Sequence, residues 1–206
     1  MQRKNLMLIG DRGVGKSTII RDNVIHCLKN IDGFFSQRIL IDGQKVGHRL
    51  CDINSVDLYN YELNINIDNI ELIDNVFINK NSDGTFNFNK SIFVYEMNRI
   101  LDKQFKSRLI ILDEIGGMEL AIEEIKDKLF TILDNNIPVL GVIKSNENLN
   151  SMKDNVKNHN IDTAFHENYH MLVNRDDIDL TYVNELNKES VSKKVFDFIN
   201  QVFSNS

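Results

Sequence analysis

An apolar run at residues 6–9 leads directly into a glycine-rich segment at residues 10–17, and this junction constrains the fold more than any other feature of the sequence. The segment fits the pattern G-x-x-x-x-G-K-[ST] at every fixed position. The apolar run predicts a buried strand, and apolar residues three or four positions apart after Lys16 predict a helix to about Asn30, ended by Gly33. A strand that enters a helix through a glycine-rich loop is typical of phosphate-binding sites.

The loop also predicts which groups would contact a polyphosphate. Its glycines let the backbone turn so that consecutive amides point inward, and the helix N-terminus adds partial positive charge. Lys16 would contact the β- and γ-phosphates, Ser17 would offer its hydroxyl to Mg²⁺, and Thr18 would contact the α-phosphate. Arg12 either reaches the γ-phosphate or is a solvated loop residue. The predicted loop contacts are Gly10, Asp11, Arg12, Gly13, Val14, Gly15, Lys16, Ser17 and Thr18.

Composition limits the partners that such a loop would serve. The formal charge of −6 and the pI of about 5.4 disfavour non-specific binding to nucleic acid, so an anionic ligand requires a local device such as this loop. The two cysteines do not form a disulfide framework, and we expect a reduced compartment. No apolar run approaches the roughly 18 residues that a membrane helix needs. We therefore expect a cytoplasmic protein that binds neither nucleic acid nor membranes; a protein partner stays open.

The remaining sequence alternates between strand-like and helix-like segments. A hairpin is expected around Asp42-Gly43, within a region of strands and turns at residues 34–90. Helices are predicted at residues 91–105, 122–133, weakly at 145–160, and at 191–202; buried strands are predicted at 109–112 and 138–143, with a last strand at 171–173. Because strands and helices alternate, we predict one α/β domain over residues 1–206 with a mostly parallel sheet.

The buried strand at residues 109–112 ends in two acids. Asp113 occupies the place where phosphate-loop proteins hold Mg²⁺, and Glu114 could take a proton from an attacking water molecule. Gly116 and Gly117 would let the backbone leave the sheet beside the phosphates. Glu119 either caps the next helix or orients an arginine or a water molecule. We therefore place Asp113, Glu114 and Gly116 in the nucleotide site, with Ser17 and Asp113 as metal ligands.

Several blocks spread over most of the chain match one family pattern. The strongest is residues 111–120, whose Asp-Glu-Ile-Gly-x-Met-Glu core is far more specific than a phosphate loop; the others are residues 10–17, 33–36, 43–47, 138–141 and 174–176. In these blocks the sequence resembles the P-loop nucleoside-triphosphatases first recognised in thermophilic archaea and bacteria, a family with a human cancer-related member.

The resemblance implies slow hydrolysis of ATP, GTP, CTP and UTP with little base preference. It implies that Glu114 is the base, that Asp113 serves Mg²⁺, and that Asn174 and Arg175 lie near the nucleotide. The chain departs from the family at residues 33–38, where two acids are missing, and at Gly117, where a lysine or proline is common. These departures leave the substrate range open.

Taken together, these features predict Mg²⁺-dependent hydrolysis of nucleoside triphosphates to diphosphate and phosphate by a RecA-like P-loop fold. That fold is a three-layer α/β/α sandwich whose mostly parallel sheet carries antiparallel additions, with residues 138–143 between the loop strand and the acidic strand. The catalytic residues would be Lys16, Glu114 and Arg175, the last either an arginine finger or a surface ion pair. Two alternatives stay open: a small-molecule or nucleoside kinase, and a nucleotide-dependent binding module with negligible turnover.

Overall fold

The computed structural model describes residues 3–54, 61–66, 73, 75–145 and 163–204. Within these residues, nine strands form one sheet. The strands are β1 (Asn5–Gly10), β2 (Ile31–Ile41), β3 (Gln44–Asp52), β4 (Glu62–Asn64), β5 (Val76–Lys80), β6 (Phe86–Phe88), β7 (Leu109–Ile115), β8 (Val139–Ile143) and β9 (Ile178–Val183).

The sheet combines a parallel core with an antiparallel extension. Its order is β6-β5-β3-β2-β7-β8-β1-β9, and β4 pairs with the outer half of β2. Neighbours from β2 to β9 in this order run parallel, whereas β2–β3, β3–β5 and β5–β6 are antiparallel. Strand β8 separates the loop strand β1 from the acidic strand β7, so both this prediction and the predicted fold class are confirmed.

Helices cover both faces of the sheet and complete the three layers. They are α1 (Lys16–Val24), α2 (Lys90–Leu101), α3 (Glu123–Asp134), α4 (Thr163–Val173) and α5 (Lys188–Ser204), with short 3₁₀ turns at Leu28–Asn30 and Met118–Ala121. Helices α1 and α5 pack on one face through residues such as Ile20 and Val195. Helices α2, α3 and α4 pack on the other through residues such as Met97, Leu129 and Phe165. Both faces of the parallel core are therefore buried, which explains its continuous apolar runs.

The first helix is shorter than the sequence predicts. It ends at Val24, and the chain continues through a tight turn, in which the Cys27 amide bonds to the Val24 carbonyl, into the 3₁₀ turn. Gly33 does not end a helix, so that prediction is wrong. It lies within β2, with φ of 121° and the backbone of Ile111 against it. The pairing of β2 with β7 overrides the helical periodicity of this segment.

The predictions for the last third of the chain need one correction. Residues 171–173 are the end of α4 and not a strand. The last strand is β9, which the sequence analysis missed although Ile178, Leu180 and Tyr182 alternate with polar residues. Except for residue 145, the weak helix predicted over residues 145–160 lies outside the described residues. None of the described helices combines the length and the hydrophobicity that a membrane-spanning helix needs.

Candidate active site

The predicted phosphate loop joins the carboxyl end of β1 to the start of α1. Gly15, the residue before the helix, adopts a left-handed conformation with φ of 94°, which costs other residues steric strain. Arg12, Gly13, Gly15, Lys16, Ser17 and Thr18 line a cavity of about 300 Å³. Of the other loop residues, Val14 is buried and packs in the core. The loop thus joins a strand to a helix beside this cavity, while the predicted contacts Gly10, Asp11 and Val14 are not among the residues that line it.

The side chain of Lys16 folds back over its own loop. Its Nζ donates hydrogen bonds of 2.8 Å to the carbonyl oxygen of Gly10 and 2.7 Å to that of Asp11. Burial lowers the pKa of Lys16, and the carboxylates of Glu114 and Asp113 oppose this effect. The two carbonyls therefore hold the Lys16 amine at the cavity, where it faces both acids of β7.

Ser17 and Asp113 form a direct polar contact between the loop and β7. The Ser17 hydroxyl donates a hydrogen bond of 2.9 Å to Oδ1 of Asp113, which is 2% exposed. Burial raises the pKa of Asp113 to about 7; the neighbouring Glu114 adds to this effect, while the Ser17 hydrogen bond and Lys16 oppose it. A buried carboxylate beside a hydroxyl provides the oxygen ligands that Mg²⁺ prefers, so this pair could hold that ion.

Glu114 has an unusual backbone conformation for a non-glycine residue. Its φ is 72°, and the pairing of β7 with β8 shifts register between Leu112 and Ile115. A left-handed conformation of this kind costs about 1–3 kcal/mol and persists only where the surrounding structure enforces it. The irregularity lets consecutive acids, Asp113 and Glu114, both line the cavity instead of pointing to opposite faces of the sheet.

The residues after β7 support the cavity wall. The buried carboxylate of Glu119 accepts a hydrogen bond of 2.6 Å from the amide of Gly117, and Glu119 lines the cavity. A Cβ added to Gly117 would lie 2.9 Å from Nζ of Lys144, so this glycine leaves room for that amine. The neighbouring Gly116 instead lies against Ile143, and the structure does not place it on the cavity wall.

Cationic side chains are concentrated in the cavity. Five of them line it: Arg12, Lys16, Arg38, Lys45 and Lys144. Burial lowers the pKa of Lys45 to about 8, and Arg12 adds to the effect, since a second positive charge disfavours protonation. Burial, with Lys45 next, also lowers the pKa of His48, whose Nδ1 lies 3.1 Å from the Ser36 hydroxyl. A concentration of positive charge in an acidic protein suits a polyanionic ligand.

The structure does not bring Arg175 or Asn174 to this cavity, so their predicted places there are wrong. Arg175 precedes β9, whose first residue pairs with Asn5 at the start of β1, whereas the loop follows the end of β1. Its guanidinium donates to Asp177 and Asp134 at 2.5–3.0 Å. Asn174 donates to the His170 carbonyl. The surface ion-pair alternative for Arg175 therefore holds.

Comparison with known proteins identifies the family of this chain. A family model described as NTPase matches residues 5–196. The chain belongs to this family. Two relatives of this chain are named nucleoside-triphosphatase THEP1. The protein from Sulfurisphaera tokodaii is 28% identical over 68% of this chain and 78% of its own. The protein from Thermotoga sp. strain RQ2 is 23% identical over 92% of each chain.

Two solved structures share the fold of this NTPase-family chain. One is the solution structure of a human cancer-related nucleoside triphosphatase, with a TM-score of 0.64 and 17% identity over 98% of this chain and 99% of that chain. The other is the crystal structure of THEP1 from the hyperthermophile Aquifex aeolicus, with a TM-score of 0.59 and 18% identity over 93% and 97%. The family resemblance inferred from the sequence blocks is confirmed.

Three cations that line the cavity of this NTPase-family member were not assigned to the site from the sequence: Arg38, Lys45 and Lys144. Lys144 directly follows the buried strand β8, and polar residues just past the carboxyl ends of parallel strands are a signal of ligand contact. Lys45 lies in one of the family blocks, at residues 43–47. No sequence pattern marks Arg38 as a site residue. Its position depends on tertiary structure, because β2 pairs with β7 up to Phe34 and continues past it, paired with β3, to Arg38.

Proposed function

We propose that this protein hydrolyses nucleoside 5′-triphosphates to the diphosphate and inorganic phosphate in a Mg²⁺-dependent reaction. The observation that carries the proposal is the convergence of Lys16, Ser17, Asp113 and Glu114 on one cavity. These residues come from two strand ends that are separated in the sheet by β8. Such a set of groups is what phosphoryl transfer to water requires: a polyphosphate cradle, metal ligands and a base.

The loop amides and Lys16 bind the β- and γ-phosphates in this mechanism. Ser17 and Asp113 would hold Mg²⁺, which when bound would neutralise negative charge on the phosphates. Glu114 accepts a proton from a water molecule while the water oxygen bonds to the γ-phosphorus. The bond from that phosphorus to the bridging oxygen breaks, and the diphosphate leaves with the bonding pair. The raised pKa of Asp113 reflects its burial and neighbouring charge, a pattern common at functional sites.

Other positively charged side chains take the role of the arginine finger that was predicted for Arg175. Arg12, Lys45 and Lys144 line the cavity together with Glu114. They stabilise the charge that spreads over the transferring phosphoryl group. Lys144 is the strongest candidate, since it follows β8 directly between the two strands that supply the loop and the acids.

A broad base range belongs to the same proposal. The three sequences that begin Asn-Lys, at residues 79–82, 89–92 and 187–190, lack the aspartate of an Asn-Lys-x-Asp guanine reader. The groups described in the cavity near the loop are suited to phosphate. ATP, GTP, CTP and UTP are therefore the substrates to compare.

The test measures phosphate release by the purified full chain from these four nucleotides, with Mg²⁺ or with EDTA. We expect release from all four, rates within about tenfold of one another, and loss of activity in EDTA. Lys16→Ala should abolish release, whereas Lys193→Ala, an exposed change on α5, should not. Release that persists in EDTA or in Lys16→Ala would refute the proposal.

A further inference from the structure

The cavity has a second part that the hydrolytic mechanism does not use, which we call the aromatic compartment. It is lined by seven apolar side chains: Phe34, Leu50, Phe77, Ile78, Phe88, Phe93 and Met97. Phe77, Phe88 and Phe93 form a mutual cluster with ring centroids 5.1–6.2 Å apart. The compartment therefore offers ring faces and edges to a ligand, next to a site built for charge.

The compartment lies on the far side of the two acids from the phosphate loop. The loop follows β1, and β8 separates β1 from the acidic strand β7. The compartment is built from β2, β3 and β5, which continue the sheet beyond β7, and from the β6–α2 segment. Asp113 and Glu114 thus stand between the loop and the aromatic rings.

The orientation of a bound triphosphate leaves this compartment free. In the proposed mechanism Lys16 would contact the β- and γ-phosphates, and Thr18 would contact the α-phosphate, to which the nucleoside is attached. The nucleoside therefore lies at the opposite end of the triphosphate from Glu114. A molecule in the aromatic compartment would approach the γ-phosphorus from the side on which Glu114 lies, where the hydrolytic mechanism places water.

The charges of the cavity favour a neutral second ligand. Five cations and three carboxylates, Asp113, Glu114 and Glu119, line the whole cavity, and Arg38 also pairs with Glu62. A nucleoside triphosphate with one Mg²⁺ brings about two negative charges, which already offset the excess of cations. Among the cavity residues that the structure describes, no excess of positive charge is left for a second anion. Ser36 and His48, at the edge of the compartment, provide neutral hydrogen-bonding groups.

The size of the cavity suits a ligand with a single ring. The whole cavity measures about 300 Å³, part of which the terminal phosphates would fill. An apolar cavity of roughly 150 Å³ accommodates benzene. Phenylalanine rings also prefer edge-to-face or offset contact with another ring.

We propose that the aromatic compartment binds a neutral, single-ring aromatic alcohol that accepts the γ-phosphoryl group. The alcohol oxygen bonds to the γ-phosphorus, its proton passes to Glu114, and the bond to the bridging oxygen breaks. The products are a phosphate monoester and a nucleoside diphosphate. This inference rests on the proposed function for the phosphate loop and the base, and it adds an acceptor that competes with water.

The test follows γ-labelled ATP with Mg²⁺ and the full chain, and separates labelled inorganic phosphate from labelled ester. The probes are benzyl alcohol, 3-pyridinemethanol and the larger uridine. We expect at least one single-ring alcohol to give labelled ester and to raise ADP release about tenfold or more. Uridine should give less, because its two rings exceed the compartment.

Two variants test whether the alcohol binds in the aromatic compartment. Ile78→Trp fills it, and Phe88→Ala, at a half-buried position, removes one of its rings. Either should lower ester formation about tenfold while phosphate release without alcohol stays within about twofold. Phe196→Ala, an exposed change on α5 and away from the cavity, is the control and should change neither. Circular dichroism verifies that each variant is folded.

The outcomes separate this inference from the proposed hydrolysis. Phosphate release without ester from any probe overturns the acceptor proposal and leaves hydrolysis standing. Ester formation that folded Ile78→Trp and Phe88→Ala do not reduce also overturns it. If neither phosphate nor ester is released, both proposals fail.

Discussion

The hydroxyl of Ser17 lies 2.9 Å from Oδ1 of Asp113, although 96 positions of sequence separate the two residues. This hydrogen bond spans from the end of β1 to the end of β7, past the intervening β8. The order of three parallel strands thus decides whether the two proposed metal ligands meet. The same order brings Glu114 and Lys144 to the cavity, so the chemistry of the site depends on the sheet being correctly assembled.

Replacing the proposed base should separate binding from turnover. Glu114→Gln keeps the size of the side chain but removes its ability to accept a proton. We expect turnover to fall about a hundredfold or more, with nucleotide affinity nearly unchanged, as measured by phosphate release and by titration with a non-hydrolysable triphosphate. Glu123→Gln, an exposed change at the start of α3, is the matched control. Equal turnover in Glu114→Gln and the native protein would remove Glu114 from the mechanism.

Lys144 should act on the transition state more than on the bound nucleotide. Lys144→Met keeps much of the apolar stem and removes the charge at the end of β8. We expect kcat to fall about 10–100-fold and KM to change by less than about threefold. Lys193→Met on α5 should leave both constants unchanged. If Lys144→Met raised KM and left kcat unchanged, Lys144 would bind the substrate and the transition state equally well, and the prediction would be wrong.

The pKa of Lys45 predicts how nucleotide affinity depends on pH. Its pKa is lowered to about 8 in the free protein, and a bound polyphosphate would raise it by stabilising the charged amine. Above pH 8 the free protein loses this proton and the complex retains it, so affinity should weaken as pH rises from about 8 to 9.5, by roughly threefold to tenfold.

Titration of the non-hydrolysable triphosphate at several pH values measures this effect. Lys45→Met should bind more weakly at pH 7 and lose the dependence above pH 8, whereas the exposed change Lys29→Met should keep it. An identical pH profile in Lys45→Met would assign the titration to another group.

Arg175 should matter for stability and not for catalysis. Its guanidinium joins Asp177 and Asp134 and lies over the ring of Phe130. Arg175→Ala should therefore lower the free energy of unfolding by about 1–3 kcal/mol, or the midpoint temperature by several degrees, while kcat stays within about twofold. Arg175→Lys should recover part of the loss. If Arg175→Ala lowered kcat a hundredfold without lowering the free energy of unfolding, Arg175 would act in catalysis after all.

Gly33 and Gly84 should respond differently to the same substitution. Both have positive φ, 121° and 83°, but a Cβ at Gly33 would lie 1.9 Å from the Ile111 carbonyl oxygen, whereas a Cβ at Gly84 would meet nothing within 4 Å. Urea denaturation should show a loss of about 1–2 kcal/mol for Gly84→Ala and more than about 3 kcal/mol, or failure to fold, for Gly33→Ala. Similar losses would mean that β2 and β7 can separate without cost.

Local patterns in the sequence predicted the elements that carry most of the chemistry. The loop at residues 10–17 and the acids at 113–114 are each defined by neighbours in the chain, because phosphate cradling and strand-end carboxylates need only a short segment. The apolar runs identified β1, β7 and β8, since strands buried on both faces have few polar residues. The half-exposed β9 and the true end of α1 lacked such a signal.

The sequence by itself therefore determined the α/β class, the phosphate loop and the two acids. Tertiary structure alone decided that Arg175 lies beside the amino ends of the parallel strands, whereas the phosphate loop lies at their carboxyl ends. It also placed Arg38, Lys45 and Lys144 around the same cavity as the loop. It also decided that aromatic rings from β5, β6 and α2 lie beyond Glu114. The physical reason is that strand order and register set these distances, and both arise from pairing between segments far apart in the chain.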